Sequence, residues 1–349
     1  MNGTMKAWFA QGGESMELRE VPIPQPKAGE VLVKIQAAGI CGSDVHFYKD
    51  GRIGPFVLTE PLILGHECSG VIAELGSDVQ GHRVGERVVI EPGIPCWRCN
   101  ACRAGRYNFC RHMSFMGTPP GNGCMAEYVA WPQELVYEMP DSMRFEEGAL
   151  IEPFVVGLQA VRNTGIGFSD NAVVIGDGPI ALMTIHALKT IGAGMIICLG
   201  RTPMKLDMAR QMGATHVFNV RECEDAEARV RAMTGGLGAM YAFECAGTDE
   251  TYDQAQRLVR DGGTVCLIGL LVNDGTPMPM ASSVMHGITY VPVIRYTNLF
   301  EEAMTLLKYR RSTILPVMTH RFPFKDANAA YHKAVHDRKD AEKIVVVFD

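Results

Sequence analysis

Cys96, Cys99, Cys102 and Cys110 constrain the fold of this chain more than any other feature in it. Spaced by two, two and seven residues, the four thiols are near enough in sequence to close on one metal ion. Zinc at a structural site takes four such ligands as a tetrahedron and keeps no open position. Iron–sulfur clusters also use short cysteine spacings, so spacing alone leaves both metals open. The intervening Trp97, Arg98, Asn100 and Ala101 offer no competing ligand. Cys68, Cys124, Cys198, Cys223, Cys245 and Cys266 are ungrouped, and most of them read as small buried apolar residues.

A chain of 349 residues, 47% hydrophobic and 21% charged, is globular and long enough for about two domains. Its formal net charge of -6 at pH 7 opposes general affinity for nucleic acid or an anionic membrane. No apolar run approaches the roughly 20 residues that cross a bilayer. Met1–Glu20 lacks the basic start and apolar stretch of a secretory signal. Thiols in metal spacing, not in a disulfide framework, fit a reducing compartment, so the expected location is the cytoplasm.

The first part of the chain reads as short strands broken by Gly- and Pro-rich turns, with Val31–Ile35 and Val88–Ile90 as strand runs. From about 172 the pattern becomes strand, helix, strand: Ala172–Ile175, a helix through Lys189, Met195–Leu199, a helix from Lys205 to Met212, then strands at Met240–Phe243 and Thr264–Ile268. Such alternation predicts a doubly wound parallel sheet. After about 285 the character is mixed again, and the closing Lys343–Phe348 run reads as a strand rejoining the first domain. The expected division is therefore 1–153, 154–284 and a return over 285–349.

Gly176-Asp177-Gly178-Pro179-Ile180-Ala181 sits between the first of those strands and its helix. The first glycine permits the tight turn, the second lets backbone approach a pyrophosphate, and the small residue at 181 lets helix and strand pack. The pyrophosphate would rest on the helix N-terminus. The next strand should end in an acid if a ribose 2′-hydroxyl is bound. Here it ends Leu199-Gly200-Arg201-Thr202, and a small residue followed by a cation suits a 2′-phosphate. The alternative is a solvated surface arginine.

Cys41, His66, Glu67 and Glu152 supply one thiolate, one imidazole and two carboxylates, which suits an open zinc site with room for substrate. Spacing does not establish that they converge, and each alone is as well explained by packing or by an ordinary polar pair. Together the features point to a metal that polarises an oxygen and a cofactor that accepts hydride.

Taken with Gly39-Ile40-Cys41-Gly42-Ser43-Asp44-Val45-His46, Gly51-Arg52-Ile53-Gly54, Leu64-Gly65-His66-Glu67, Glu91-Pro92-Gly93, Glu147–Pro153 and Thr319-His320-Arg321-Phe322-Pro323, the chain resembles, over essentially its whole length, the zinc-containing medium-chain dehydrogenases, within them the sorbitol and xylitol dehydrogenase branch. The resemblance implies an α/β architecture: a GroES-like, mostly-β catalytic domain and a Rossmann cofactor domain. It implies two zinc ions per chain. The catalytic ion would be held by Cys41, His66 and Glu67, with Glu152 as a further ligand or as partner of a metal-held water. The structural ion would take the four clustered cysteines.

By the same likeness Ser43 and His46 relay the substrate proton, with Glu152 beside them. Gly176, Gly178, Pro179, Ile180, Gly200, Arg201, Thr202, Lys205, Ile268, Leu270, Ile294 and Arg295 are the expected cofactor contacts. Phe47, Phe115, Glu152, Arg295 and Tyr296 are the expected substrate contacts. Two departures stand out. Phe47 replaces the branch's usual tyrosine, with Tyr48 adjacent, and Gly200 replaces the aspartate of NAD-using members, with Arg201 and Lys205 nearby. The expectation is an enzyme acting on a polyol, sugar alcohol or sugar acid, preferring NADP with NAD possible, and assembled as a homodimer or homotetramer. A dehydrogenase for a short diol or a threonine-like hydroxy amino acid is the alternative within the family. A zinc-ribbon nucleic-acid module is the alternative outside it, and it would need a basic face.

Overall fold

β1 (Thr4–Gly12) starts with buried Met5 and Ala7 alternating with exposed Thr4 and Lys6, buries Ala10 further on, and pairs antiparallel with β2 (Ser15–Pro22). β3 (Glu30–Gly39) does not alternate: Val31, Leu32, Val33, Ile35, Ala37 and Ala38 are all fully buried, the mark of a strand covered on both faces. Cys41 caps α1 (Gly42–Asp50), and the chain returns along β4 (Glu67–Leu75), antiparallel to β3 with Gly39 opposite Glu67. β5 (Arg87–Ile90), β6 (Tyr128–Pro132) and β7 (Val136–Glu138) extend this sheet. The computed structural model describes residues 1–271, 275–310 and 312–348.

The chain leaves this first unit at Glu152, within α2 (Ile151–Thr164). The second unit, Pro153–Leu299, is built on β8 (Asn171–Ile175), α3 (Pro179–Ile191), β9 (Met195–Gly200), α4 (Pro203–Met212), β10 (His216–Asn219), β11 (Ala239–Glu244), β12 (Val259–Leu267), α5 (Met280–His286) and β13 (Thr289–Pro292). All six strands are parallel, in the order β10-β9-β8-β11-β12-β13. The order reverses direction at β8, so the C-terminal ends of β8 and β11 flank the switch point where such sheets take ligands.

From Phe300 the chain belongs again to the first unit. β14 (Met318–Pro323) and α6 (Ala327–His336) lead to β15 (Lys343–Val347), which pairs parallel with β14 and antiparallel with the last residues of β3. The full order is β7-β5-β4-β3-β15-β14, with β6 on the first half of β3. The return therefore falls later than 285, because Thr289–Pro292 completes the parallel sheet beside β12. Among the described residues no helix is long and apolar enough to cross a membrane.

Gly157 fixes how α2 meets α3. A Cβ there would lie 2.8 Å from the Met183 carbonyl carbon and 2.8 Å from the Thr184 nitrogen, so the two helix backbones touch at this point. Gly157→Ala is expected to force α3 away and lower stability by about 1–3 kcal/mol, read as a fall in the urea midpoint with an unchanged slope. An unchanged midpoint would show that the helices separate without cost.

Candidate functional site

Cys99 caps the short helix Asn100–Arg103, which carries Cys102, while Cys96 precedes that helix and Cys110 follows it. The folded lobe brings the sulfurs of Cys96, Cys99, Cys102 and Cys110 within 4.8 Å of one another. Backbone amides serve them: Cys99 N donates to Cys96 Sγ at 3.4 Å and Cys96 N to Cys110 Sγ at 3.3 Å. The Arg98 amide is the largest cause pulling the Cys96 thiol down to about 6, while burial pushes Cys102 up to about 12. A cation with four soft donors suits this group, because it draws the remaining protons off.

Glu91, which spacing did not single out as functional, anchors the lobe. Its carboxylate accepts from Tyr107 Oη at 2.8 Å and Tyr137 Oη at 2.7 Å, and its carbonyl from Trp131 Nε1 at 2.8 Å.

The second donor group lies where β3, α1 and β4 meet. Cys41, at the cap of α1, His66, just before β4, and Glu67, its first residue, offer ligand atoms within 4.8 Å of one another. Asp44, 1% exposed, organises them: Oδ2 accepts the Cys41 amide at 3.0 Å, and Oδ1 accepts the Gly65 amide at 3.2 Å and lies 3.3 Å from His66 Nδ1. That contact leaves Nε2 as the histidine's ligand atom. Glu67 is fully buried; Oε1 meets Lys343 Nζ at 2.5 Å, and Oε2 has no hydrogen-bond partner. A buried, unpartnered carboxylate oxygen beside a thiol and an imidazole is a place for a cation, and mixed S, N, O donors suit zinc.

Gly39 is required here by space: a Cβ would stand 2.1 Å from Glu67 Oε2. The Phe115 ring lies 5.3 Å from that of His66, edge to face. Glu152, buried on the first turn of α2, falls outside the three-donor group, but its charge raises the Lys343 pKa alongside those of Glu67 and Cys41, against the opposing effect of burial. Ser43 and His46 share α1, three residues apart, and exposed His46 rests its Nδ1 3.3 Å from Asp50. Phe47, 1% exposed, and Tyr48, fully buried, face the core, and the Tyr48 hydroxyl donates to Asn328. Glu14, His332 and His336 form a third, more exposed donor group, in which His336 pairs with Glu14.

In the second unit the glycine turn closes β8. Gly176 has φ 119°, open to glycine, and an added Cβ at Gly178 would meet nothing within 4 Å. α3 starts at Pro179 with Gly178 as its cap and no side-chain cap bond, so Ile180 and Ala181 stand on a helix N-terminus free for an anion. This open cradle fits a pyrophosphate. Beside it, Gly200 ends β9, Arg201 is exposed, Thr202 caps α4 and Lys205 lies on it. Asp177 reaches across: its Oδ2 accepts the amides of Arg201 and Thr202, both at 2.7 Å.

Glu244, at the end of β11, accepts the Ala246 and Gly247 amides and the Thr251 hydroxyl, each at 2.8 Å, and so shapes the rim of the switch point. Ile268 follows β12; Leu270 and Ile294 are exposed, Arg295 has φ 51°, and Tyr296 is buried. An isolated acid carries no spacing signal, so the roles of Asp44, Asp177, Glu91 and Glu244 show only in the fold.

Residues 27–141 match the alcohol dehydrogenase GroES-like domain, and 179–309 match the zinc-binding dehydrogenase family. Sorbitol dehydrogenase of Bacillus subtilis is 36% identical over 98% of this chain and 97% of its own. L-idonate 5-dehydrogenase of Vitis vinifera is 36% identical over 94% of this chain and 90% of its own. The crystal structure of a zinc-binding dehydrogenase from Sinorhizobium meliloti bound to NADP superposes with a TM-score of 0.90 at 28% identity, covering 99% of both chains. With its GroES-like unit, its Rossmann unit and full-length likeness to these enzymes, the chain belongs to the zinc-containing medium-chain dehydrogenases, in the polyol dehydrogenase branch.

Proposed function

We propose that this dehydrogenase moves hydride between a nicotinamide dinucleotide and a polyol, sugar alcohol or sugar acid. The observation that carries the reading is the convergence of Cys41, His66 and Glu67 around an unpartnered buried oxygen. The relatives named for sorbitol and L-idonate support the substrate class. Zinc, when bound, supplies a Lewis acid for the alcohol oxygen, and the dinucleotide supplies the hydride acceptor.

The chain's own residues do the rest. Cys41, His66 and Glu67 hold the ion, and Asp44 keeps the His66 ring turned so that Nε2 is presented. The Ser43 hydroxyl would accept the substrate's proton while passing its own on towards His46, three residues along and exposed, which would release a proton to solvent. Glu152 acts on the substrate side, with Phe115, Arg295 and Tyr296. The four-cysteine lobe holds a second, structural zinc.

The cofactor choice turns on one stretch of backbone. Gly200, Arg201, Thr202 and Lys205 favour NADP, because a guanidinium pairs well with a phosphate. The Asp177 carboxylate on the amides of Arg201 and Thr202 favours NAD. Met280, Val284 and Met285 are exposed on α5, next along the chain to the edge strand β13, which supports assembly into a homodimer or homotetramer. The free thiols throughout suit the cytoplasm.

Plasma mass spectrometry is expected to find about two zinc ions per chain. Cys41→Ala should lose one of them and all turnover while remaining folded; Cys99→Ala should lose the other and unfold at a lower temperature. A single zinc in the wild type, or an active Cys41→Ala, would contradict the assignment.

Asp44→Asn is expected to weaken retention of the catalytic zinc by about 10–100-fold in a chelator competition, with the lobe's zinc unmoved. Equal loss of both ions would mean a general folding defect instead.

Turnover should be seen with polyols or sugar acids in a panel that also holds short diols and threonine, read with NAD and NADP in parallel. Turnover only with threonine or a diol would move the enzyme to the alternative substrate class.

A further inference from the structure

Gly200 has a second explanation besides room for a phosphate. A Cβ at that position would lie 2.7 Å from Asp177 Cβ, 3.0 Å from Asp177 Oδ2 and 2.8 Å from Leu206 Cδ2. Backbone conformation does not demand glycine there, since no left-handed φ occurs at 200. The demand comes from Asp177, with Leu206 closing the other side. With an aspartate at 177 there is no space for a side chain at 200, so the acid missing from the end of β9 is replaced by one reaching over from the end of β8.

The replacement is held in place. Oδ2 of Asp177 accepts two amides at 2.7 Å, from Arg201 and Thr202, and Oδ1 has no hydrogen bond among the described residues. One oxygen is thus anchored and the other left for a donor. The carboxylate stands at the second position of the glycine turn, one residue before the cap of α3, beside the cradle that fits the pyrophosphate. A ribose hydroxyl donates to a carboxylate and is welcome there. A 2′-phosphate is an anion that would need those same two amides, and it meets a negative charge that already holds them.

We propose that Asp177 is the residue that reads the adenosine ribose and rejects a 2′-phosphate, so that NAD is selected despite Arg201. This rests on the dinucleotide reading above and decides which dinucleotide it is. Arg201, exposed beyond the anchored carboxylate, then serves as a solvated cation that offsets Asp177 and does not clamp a phosphate.

Binding tests this without turnover. Dissociation constants for NADH and NADPH, measured by titration calorimetry on the purified zinc-loaded protein, should favour NADH by about tenfold or more in the wild type. Asp177→Asn, which keeps the shape and removes the charge, should shift the NADH-to-NADPH preference toward NADPH by about tenfold or more. Tighter binding of NADPH by the wild type, which needs no variant to fold, would overturn the proposal. An unmoved preference in a folded Asp177→Asn would overturn it too. Binding of neither cofactor would instead fail the dinucleotide reading, and this proposal with it.

Discussion

The buried pair between Glu67 and Lys343 is the contact on which the metal-side unit depends. Nζ of Lys343 lies 2.5 Å from Glu67 Oε1 and donates to the Ile40 carbonyl at 3.0 Å, and both side chains are 3% exposed or less. It joins the first residue of β4 to the first residue of β15, two strands that flank β3 on opposite sides. Buried pairs are not a reliable source of net stability, because desolvation offsets much of the attraction. This one has a different use: it fixes Glu67 so that Oε2 is left unpartnered beside Cys41 and His66. The charge count around it is uneven. Cys41, Asp44, Glu67 and Glu152 can each carry a negative charge; with His66 neutral, as a metal ligand must be, Lys343 supplies the one positive charge among them. A divalent cation is what brings such a group close to balance.

The two sulfur-bearing groups of the same unit show how donor chemistry separates structure from function. Four thiols on one loop, with amides donating to the sulfurs, would close around an ion and leave nothing for a substrate. One thiol, one imidazole and one carboxylate drawn from α1 and β4 leave a position open. The first group is local in sequence and needs only Glu91 and its tyrosines as an anchor. The second needs the register of β3 against β4 to be correct, because Gly39 and Glu67 are opposite residues.

That difference also decides what the sequence alone makes legible. The four-cysteine lobe can be read because all its ligands fall within one short stretch, and the parallel sheet because its apolar runs and its glycine turn recur in order. β13 escapes because Thr289–Pro292 has no buried residue to mark it. The convergence of Cys41 with His66 and Glu67 is invisible to spacing, since it is made by strand pairing. Asp44 sits in plain sight three residues after Cys41, yet its role appears only when its carboxylate is seen to touch the amides of Cys41 and Gly65 and the ring of His66. Phe47 and Tyr48 mislead in the opposite sense: they follow Cys41, Ser43 and His46 in sequence, but the helix turns them into the core.

Three glycines carry one lesson about reading such sites. None of Gly39, Gly200 and Gly269 has a left-handed φ, so conformational freedom does not explain them. Each instead stands against a neighbouring element that brings a carboxylate: an added Cβ would lie 2.1 Å from Glu67 Oε2, 2.7 Å from Asp177 Cβ and, at Gly269, 2.3 Å from the Gly247 nitrogen and 2.6 Å from Glu244 Oε2. All three lie at or just beyond the end of a strand, where a sheet delivers its chemistry. A glycine in that position therefore reports on its neighbour. Read alone, Gly200 is an absent acid; read with Asp177, it marks where an acid has moved. The same residue supports opposite cofactors under the two readings, and the choice between them is made by which strand end supplies the carboxylate.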